Sequence, residues 1–272
     1  MDLTVSDLRS LNVLVKEKFN YDFSNYAFSS YKRRISRLME MKRTITVNEF
    51  VYKIQKGEIT KEDFLSEVTV NVTEMYRDPS FWEHFREKVQ QFSLSNHFIK
   101  IWHAGCSSGE EVFSMLILLK EIGLLERAEI IATDIDKKIL ARAKDGKIAK
   151  KNMAANRANY EMSGGKTDLL KYFDEQNDYY SLDKSLLDKV KFSELDLVQS
   201  PAFPTAHFIL CRNVFIYFNQ VLQNAVLVKL HSTLEMGGFL VLGSKESLTS
   251  FDTASKFMAV TPDERIYKKT KD

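Results

Sequence analysis

Apolar residues recur at helical spacing through the first 75 residues: Leu8, Leu11 and Val15, then Ile35, Leu38 and Met39. One glycine, Gly57, and no proline interrupt that stretch, which predicts short helices packed as a small bundle. The pattern changes near Phe98. Ile99–Ala104 reads as a strand, residues 105–109 as a Gly/Ser loop, 110–122 as a helix, 129–133 as a second strand ending at Asp134, and 137–144 as another helix. Residues 145–188 are polar and break the alternation; with Gly164-Gly165 and Tyr179-Tyr180 they predict an inserted helix and a small strand pair. Regular order resumes with strands at 190–193 and 207–211, a helix at about 219–234 stopped by Gly237-Gly238, and a buried strand at 239–242. Two last strands, 257–260 and 265–268, face each other across Pro262-Asp263. The reading is an all-α domain (1–75), a linker helix (76–97) and an α/β domain (98–272) with a doubly wound, mostly parallel sheet.

Composition narrows the class. In 272 residues, one large or two modest domains, 44% are hydrophobic, enough for a real core, and the net charge of +2 gives no global reason to expect nucleic-acid binding. Cys106 and Cys211, the only cysteines, match no zinc spacing, so neither a metal site nor a disulfide framework is expected. The N-terminus lacks a basic region followed by an apolar run, and no apolar stretch approaches the roughly 20 residues of a membrane helix. A cytoplasmic monomer without direct membrane insertion is expected.

Four segments carry candidate chemistry. Ala104-Gly105-Cys106-Ser107-Ser108-Gly109-Glu110-Glu111 joins a strand to a helix, where glycines let the backbone turn sharply beside a ligand. Its spacing is not Gly-x-Gly-x-x-Gly. A carboxylate at the helix start, Glu110 or Glu111, suits the ammonium and sulfonium of S-adenosylmethionine and would repel a pyrophosphate. Thr133-Asp134-Ile135-Asp136 ends the next strand; Asp134 is assigned to ribose hydroxyls and Asp136 to capping the following helix. Asn71-Val72-Thr73-Glu74-Met75-Tyr76-Arg77-Asp78-Pro79 lies between the domains, with Pro79 starting a helix and Asp78 as its cap. Leu210-Cys211-Arg212-Asn213-Val214-Phe215-Ile216-Tyr217-Phe218 puts Arg212, Asn213 and Tyr217 at the carboxyl edge of the sheet. Apart from these, Lys32, Arg33, Arg34, Arg37, Lys42 and Arg43 form a basic helix face, either a solvated surface or a docking face for an acidic partner. The terminal hairpin suits a methyltransferase sheet better than a dinucleotide dehydrogenase.

Taken together, Asn71–Pro79, Trp102–Ser114, Ala132–Asp136, Cys211–Phe218 and Gly238–Leu248 resemble the motifs of the CheR family of protein-glutamate O-methyltransferases, in the family's order and over nearly the whole chain. The resemblance implies a Rossmann-like S-adenosylmethionine-dependent methyltransferase domain behind an all-α domain. It also implies methyl transfer to glutamate carboxylates on the cytoplasmic helices of chemoreceptors. By position, Asn71, Thr73 and Arg77 would contact the cofactor from the linker side, with Gly105 in the loop, Glu111 at its amino group, Asp134 at its ribose, and Asp196 and Leu197 flanking the adenine. Arg77, Arg212 and Tyr217 would serve the transfer step, Asn213 and Arg212 would also border the cofactor, and Arg33, Arg34 and Arg37 would dock the substrate.

Three departures stand out. Gly243-Ser244-Lys245-Glu246 replaces a Gly-His-Ser-Glu common in relatives; His103 stands where relatives often have a small residue; and the inserted segment near Tyr172–Ser185 lacks the glycine-containing loop that binds a receptor's C-terminal peptide in some relatives. The alternatives are a cofactor-binding signalling scaffold and a methyltransferase acting on another signalling protein. A redox pair formed by Cys106 and Cys211 is the remotest reading.

Overall fold

The computed structural model describes residues 3–69, 73–248 and 251–272. Four helices come first: α1 (Val5–Phe19), α2 (Phe28–Met41), α3 (Val47–Lys56) and α4 (Lys61–Val68). Local chemistry sets their starts. Thr4 and Thr60 each form a reciprocal capping box with an aspartate three residues on, and Thr46 caps α3. Their apolar faces meet in one core that includes Leu8, Leu11, Val15, Ile35, Leu38 and Phe64.

Next come α5 (Pro79–Ser95), β1 (Ile99–Ala104), α6 (Glu110–Glu121), β2 (Ala128–Asp134), α7 (Lys137–Asp145), β3 (Lys147–Ala149), α8 (Lys150–Met162), β4 (Phe173–Glu175), β5 (Tyr179–Leu182) and α9 (Lys184–Leu187). The chain then runs through β6 (Val190–Glu194), β7 (Ala206–Cys211), α10 (Gln220–Thr233), β8 (Leu234–Leu242), β9 (Phe257–Thr261) and β10 (Ile266–Lys269). The main sheet has the order β6-β2-β1-β7-β8-β10-β9. Its first five strands are parallel and its last two antiparallel to their neighbours. The insertion differs from the expected strand pair: β3 also joins, giving a three-stranded antiparallel sheet β3-β5-β4. Lys147–Ala149 is too short to register as a strand without its partner Tyr179–Ser181.

Strand alternation sorts the sheet's two faces. Ile99, Ile101, Phe208, Leu210, Phe239 and Val241 pack on one side with residues of α5 and α6. Trp102, Ala104, Ile209, Cys211, Leu240 and Leu242 pack on the other with α10. The sequence marks α5 as the connection between domains, yet it sends Phe81, Trp82, Phe85 and Val89 into the core of the sheet. Strand order reverses between β1 and β7, so the crevice of this open sheet lies at their carboxyl ends. Among the described residues, no helix is long and apolar enough to cross a membrane.

Candidate active site

At that crevice the loop after β1 turns through Gly105 at φ +83°, and a Cβ there would lie 2.7 Å from the Val214 side chain. This glycine therefore lets two strand-end loops pack closely, besides making the turn. The turn lets Asp134, at the end of β2, accept the Ser107 N–H (2.8 Å) and the Asp136 N–H (3.1 Å). Asp136 caps α7, accepting from Lys138 and Ile139, as expected. Asp134 is only 8% exposed, and burial raises its pKa despite the backbone donors. A buried anion that is incompletely compensated gains from any ligand that brings hydroxyl donors.

Two contiguous cavities share Gly105, Ser107, Asn213 and Tyr217. The first opens to solvent at the carboxyl ends of the strands. Asp134, Asp196, Leu197 and Val198 line it, along with Tyr26, Val68 and Thr69 from the helical domain. The second is lined by Thr73, Arg77, Glu111 and Arg212. The structure thus gathers Thr73, Arg77, Gly105, Glu111, Asp134, Asp196, Leu197, Arg212, Asn213 and Tyr217 around one cleft. Asn71 lies outside the described residues.

Buried charges organise the second cavity. Arg212, its side chain 2% exposed, reaches Asp78 Oδ2 at 2.7 Å and Glu111 Oε2 at 3.3 Å, and its guanidinium lies over the Phe81 ring at 4.1 Å. Asp78 therefore does not cap α5 as its sequence position suggests. It sits at φ +56° with no side-chain bond to the helix start, because its carboxylate is committed to Arg212. Glu111 Oε1 also accepts the Nδ1–H of fully buried His103 at 2.8 Å. Burial alone would raise the Glu111 pKa, but the His103 hydrogen bond and the charges of His103 and Arg212 hold it below the usual range, so it stays ionised. Arg77 makes no ion pair among the described residues and lines the cavity. Its segment is held rigidly: Met75 N–H donates to Asn156 (3.1 Å), Tyr76 N–H to Ser114 (2.9 Å), and the Trp82 indole to the Arg77 carbonyl (3.1 Å).

Three contributors received no site role from the sequence, although His103 and the segment of Glu246 stood out there as departures. Glu246 is 5% exposed and accepts N–H bonds from Gly243 (2.6 Å), Asn213 (2.9 Å) and Ile216 (3.2 Å), which shapes the loop carrying Asn213 and Tyr217. His103 lies on the α6 side of β1, a placement legible from strand alternation once β1 is recognised. Tyr26 comes from the α1–α2 loop, which no motif marks. The cysteines are divided between the two packed faces of the sheet, and burial raises both thiol pKa values, which keeps them protonated and unreactive.

Burial raises the Tyr217 pKa, opposed by the charges of Arg34, Arg77 and Arg33. Arg33 is exposed, whereas Arg37 and Arg34 contact Glu67 at 3.2 and 3.7 Å. The lining fits a ligand with cationic and ribose parts: carboxylates at Glu111, Asp134 and Asp196, and no Gly-x-Gly-x-x-Gly pyrophosphate cradle.

A parallel sheet ending in an antiparallel pair, with an acid-lined cleft at its switch point, is the arrangement expected of an S-adenosylmethionine-dependent methyltransferase. Comparison with known proteins agrees. Residues 71–263 match the CheR methyltransferase SAM binding domain, and residues 6–69 match the CheR methyltransferase all-alpha domain. The chain is 38% identical over 264 residues to the protein named Cher3 of Pseudomonas putida, covering 97% of each. It is 28% identical over 237 residues to a chemotaxis protein methyltransferase of Listeria innocua, covering 86% of this chain and 87% of that one. For one of Borreliella burgdorferi the identity is 26% over 276 residues, covering 96% and 95%. The chain belongs to the CheR methyltransferase family, and S-adenosylmethionine is its cofactor.

Proposed function

We propose that this protein methylates glutamate side-chain carboxylates of a chemoreceptor-type signalling protein, giving methyl esters. The observation that carries this reading is Arg77, a cation that lines the cleft with Glu111 and Tyr217 and makes no ion pair among the described residues. When bound, S-adenosylmethionine supplies an electrophilic methyl group on a sulfonium. A glutamate is already ionised at neutral pH, so the protein would need no general base to prepare its oxygen for the methyl group. The protein's task is to align the oxygen with the methyl carbon. In this reading Arg77 orients the incoming carboxylate, since Arg212 is engaged by Asp78 and Glu111. Arg212 holds Glu111 toward the cofactor's ammonium; Asp134 takes the ribose; Asp196 and Leu197 flank the adenine; Thr73, Gly105 and Asn213 complete the cofactor's surroundings. Tyr217 borders the reacting groups.

Calorimetric titration with S-adenosylhomocysteine tests the cofactor half. Wild type binds, and Asp134→Ala weakens binding about a hundredfold through lost charge-assisted hydrogen bonds. Undiminished binding by the variant would remove the ribose assignment. Incubation with a receptor cytoplasmic fragment and labelled cofactor tests the other half, with base-labile label released as methanol as the ester signature. Arg33→Glu should raise the KM for that fragment about tenfold and leave cofactor affinity unchanged; equal loss of both would point to misfolding. Cofactor binding without labelling of any receptor fragment would move the acceptor to a different signalling protein.

A further inference from the structure

Two acids open α6, and the fold gives them different company. Glu110 is taken up by the Ser108 hydroxyl (2.6 Å), whereas Glu111 lines the second cavity. Behind Glu111 stands a side chain that lines neither cavity. His103 is fully buried, and its Nδ1 lies 2.8 Å from Glu111 Oε1. An ionised carboxylate only accepts, so Nδ1 carries the hydrogen. His103 is mounted on β1, where it pairs with Ala132 of β2 on one side and Leu210 of β7 on the other. Arg212 holds the other oxygen, Oε2, more loosely: that contact is 3.3 Å, and the same guanidinium lies 2.7 Å from Asp78. His103 is thus the shorter and the more rigidly mounted of the two donors. Its second nitrogen, Nε2, is buried and meets no hydrogen-bond partner among the described residues. An apolar side chain would avoid that cost, so packing alone does not account for an imidazole here.

We propose that His103 is a positioning residue for cofactor selection. It locks the Glu111 carboxylate in the orientation that takes a ligand's ammonium, and so makes the site discriminate a complete amino-acid end from an adenosine thioether that lacks one. This rests on the assignment of Glu111 to the ammonium above and deepens it. A carboxylate held at one oxygen still turns about its side-chain bonds. Held at both, from β1 and from the loop after β7, its free lone pairs keep one direction. A charge-assisted hydrogen bond to an ammonium depends on that direction. The residues assigned to ribose and adenine, Asp134, Asp196 and Leu197, line the other cavity and make their contacts without Glu111. His103 therefore bears on one part of the ligand only.

Calorimetry on the full chain with two ligands decides it. S-adenosylhomocysteine carries the ammonium; methylthioadenosine keeps the nucleoside and thioether but has no amino-acid end, and its weaker binding is read by displacement. His103→Val is expected to raise the Kd for S-adenosylhomocysteine about tenfold and to leave that for methylthioadenosine within about twofold of wild type. His103→Asn, whose amide nitrogen stands at the position of Nδ1, is expected to recover S-adenosylhomocysteine binding to within about threefold. Undiminished S-adenosylhomocysteine affinity in His103→Val, or equal weakening of both ligands, would overturn the inference; the second result would mean that the ring merely supports the loop. Glu111→Gln keeps the two readings apart. If it weakens both ligands alike, the ammonium assignment itself falls. If it weakens S-adenosylhomocysteine alone while His103→Val does not, the assignment stands and the role of His103 falls. Should His103→Val fail to fold, His103→Ala takes its place with the same outcomes.

Discussion

Arg212→Ala is expected to lose cofactor binding and to unfold on the order of 10 °C lower than wild type. The reason is the company the side chain keeps. Its guanidinium is buried between the carboxylates of Asp78 and Glu111 and lies on the face of Phe81. Removing it leaves two acids in a low-dielectric setting without their shared cation, a defect worth about 3–5 kcal/mol for buried pairs. Glu111 then keeps only His103 and loses the fixed direction that aims it into the cleft. Arg212→Lys preserves the charge but not the fork that reaches both acids, so it should recover only part of the stability and little of the binding. Thermal unfolding followed by titration with S-adenosylhomocysteine checks both. A variant that melts and binds like wild type would show that the charge cluster is ornamental.

The second large effect is expected at Glu246, which need not touch substrate or cofactor. Glu246→Gln should lower the methyl-transfer rate by about a hundredfold, with a much smaller change in S-adenosylhomocysteine affinity. Its carboxylate accepts backbone N–H groups of Gly243, Asn213 and Ile216, so it sets the curvature of the loop that ends at Tyr217. An amide can offer oxygen to only one side of that arrangement, and its NH₂ meets N–H donors on the other. The loop then relaxes, and misplacement of reacting groups by an ångström costs rate far more than binding. Single-turnover kinetics at saturating cofactor separates the two. Equal losses in rate and affinity would mean that Glu246 merely holds the fold.

The sequence segments that read most clearly were those whose information is local. β1, β2, β7 and β8 each hold a mostly apolar stretch because residues of both their faces are buried, and such stretches need no partner to be recognised. Asp136 reads as a cap because its role is completed within three residues. Asp78 has the same local signature but was drawn away by an arginine 134 positions distant, a contact no local rule contains. Tyr26 carries no local signal because it acts across a domain boundary, and Glu246, though its segment reads as a motif, shows no role by itself because it acts through backbone groups about 30 residues earlier.

By itself, then, the sequence determined the order of helices and strands, the all-α and α/β division, the acidic strand-end positions and the family, since each follows from periodicity, caps and motif spacing along the chain. Only the tertiary structure decided which cation is free. Arg77 and Arg212 look interchangeable as a string, but folding buries one among acids and leaves the other lining the cleft. It also decided that Tyr26, Val68 and Thr69 of the helical domain line the same cavity as Asp134 and Asp196, because that depends on how two separately patterned cores meet, and no residue pattern along one chain encodes the distance between them.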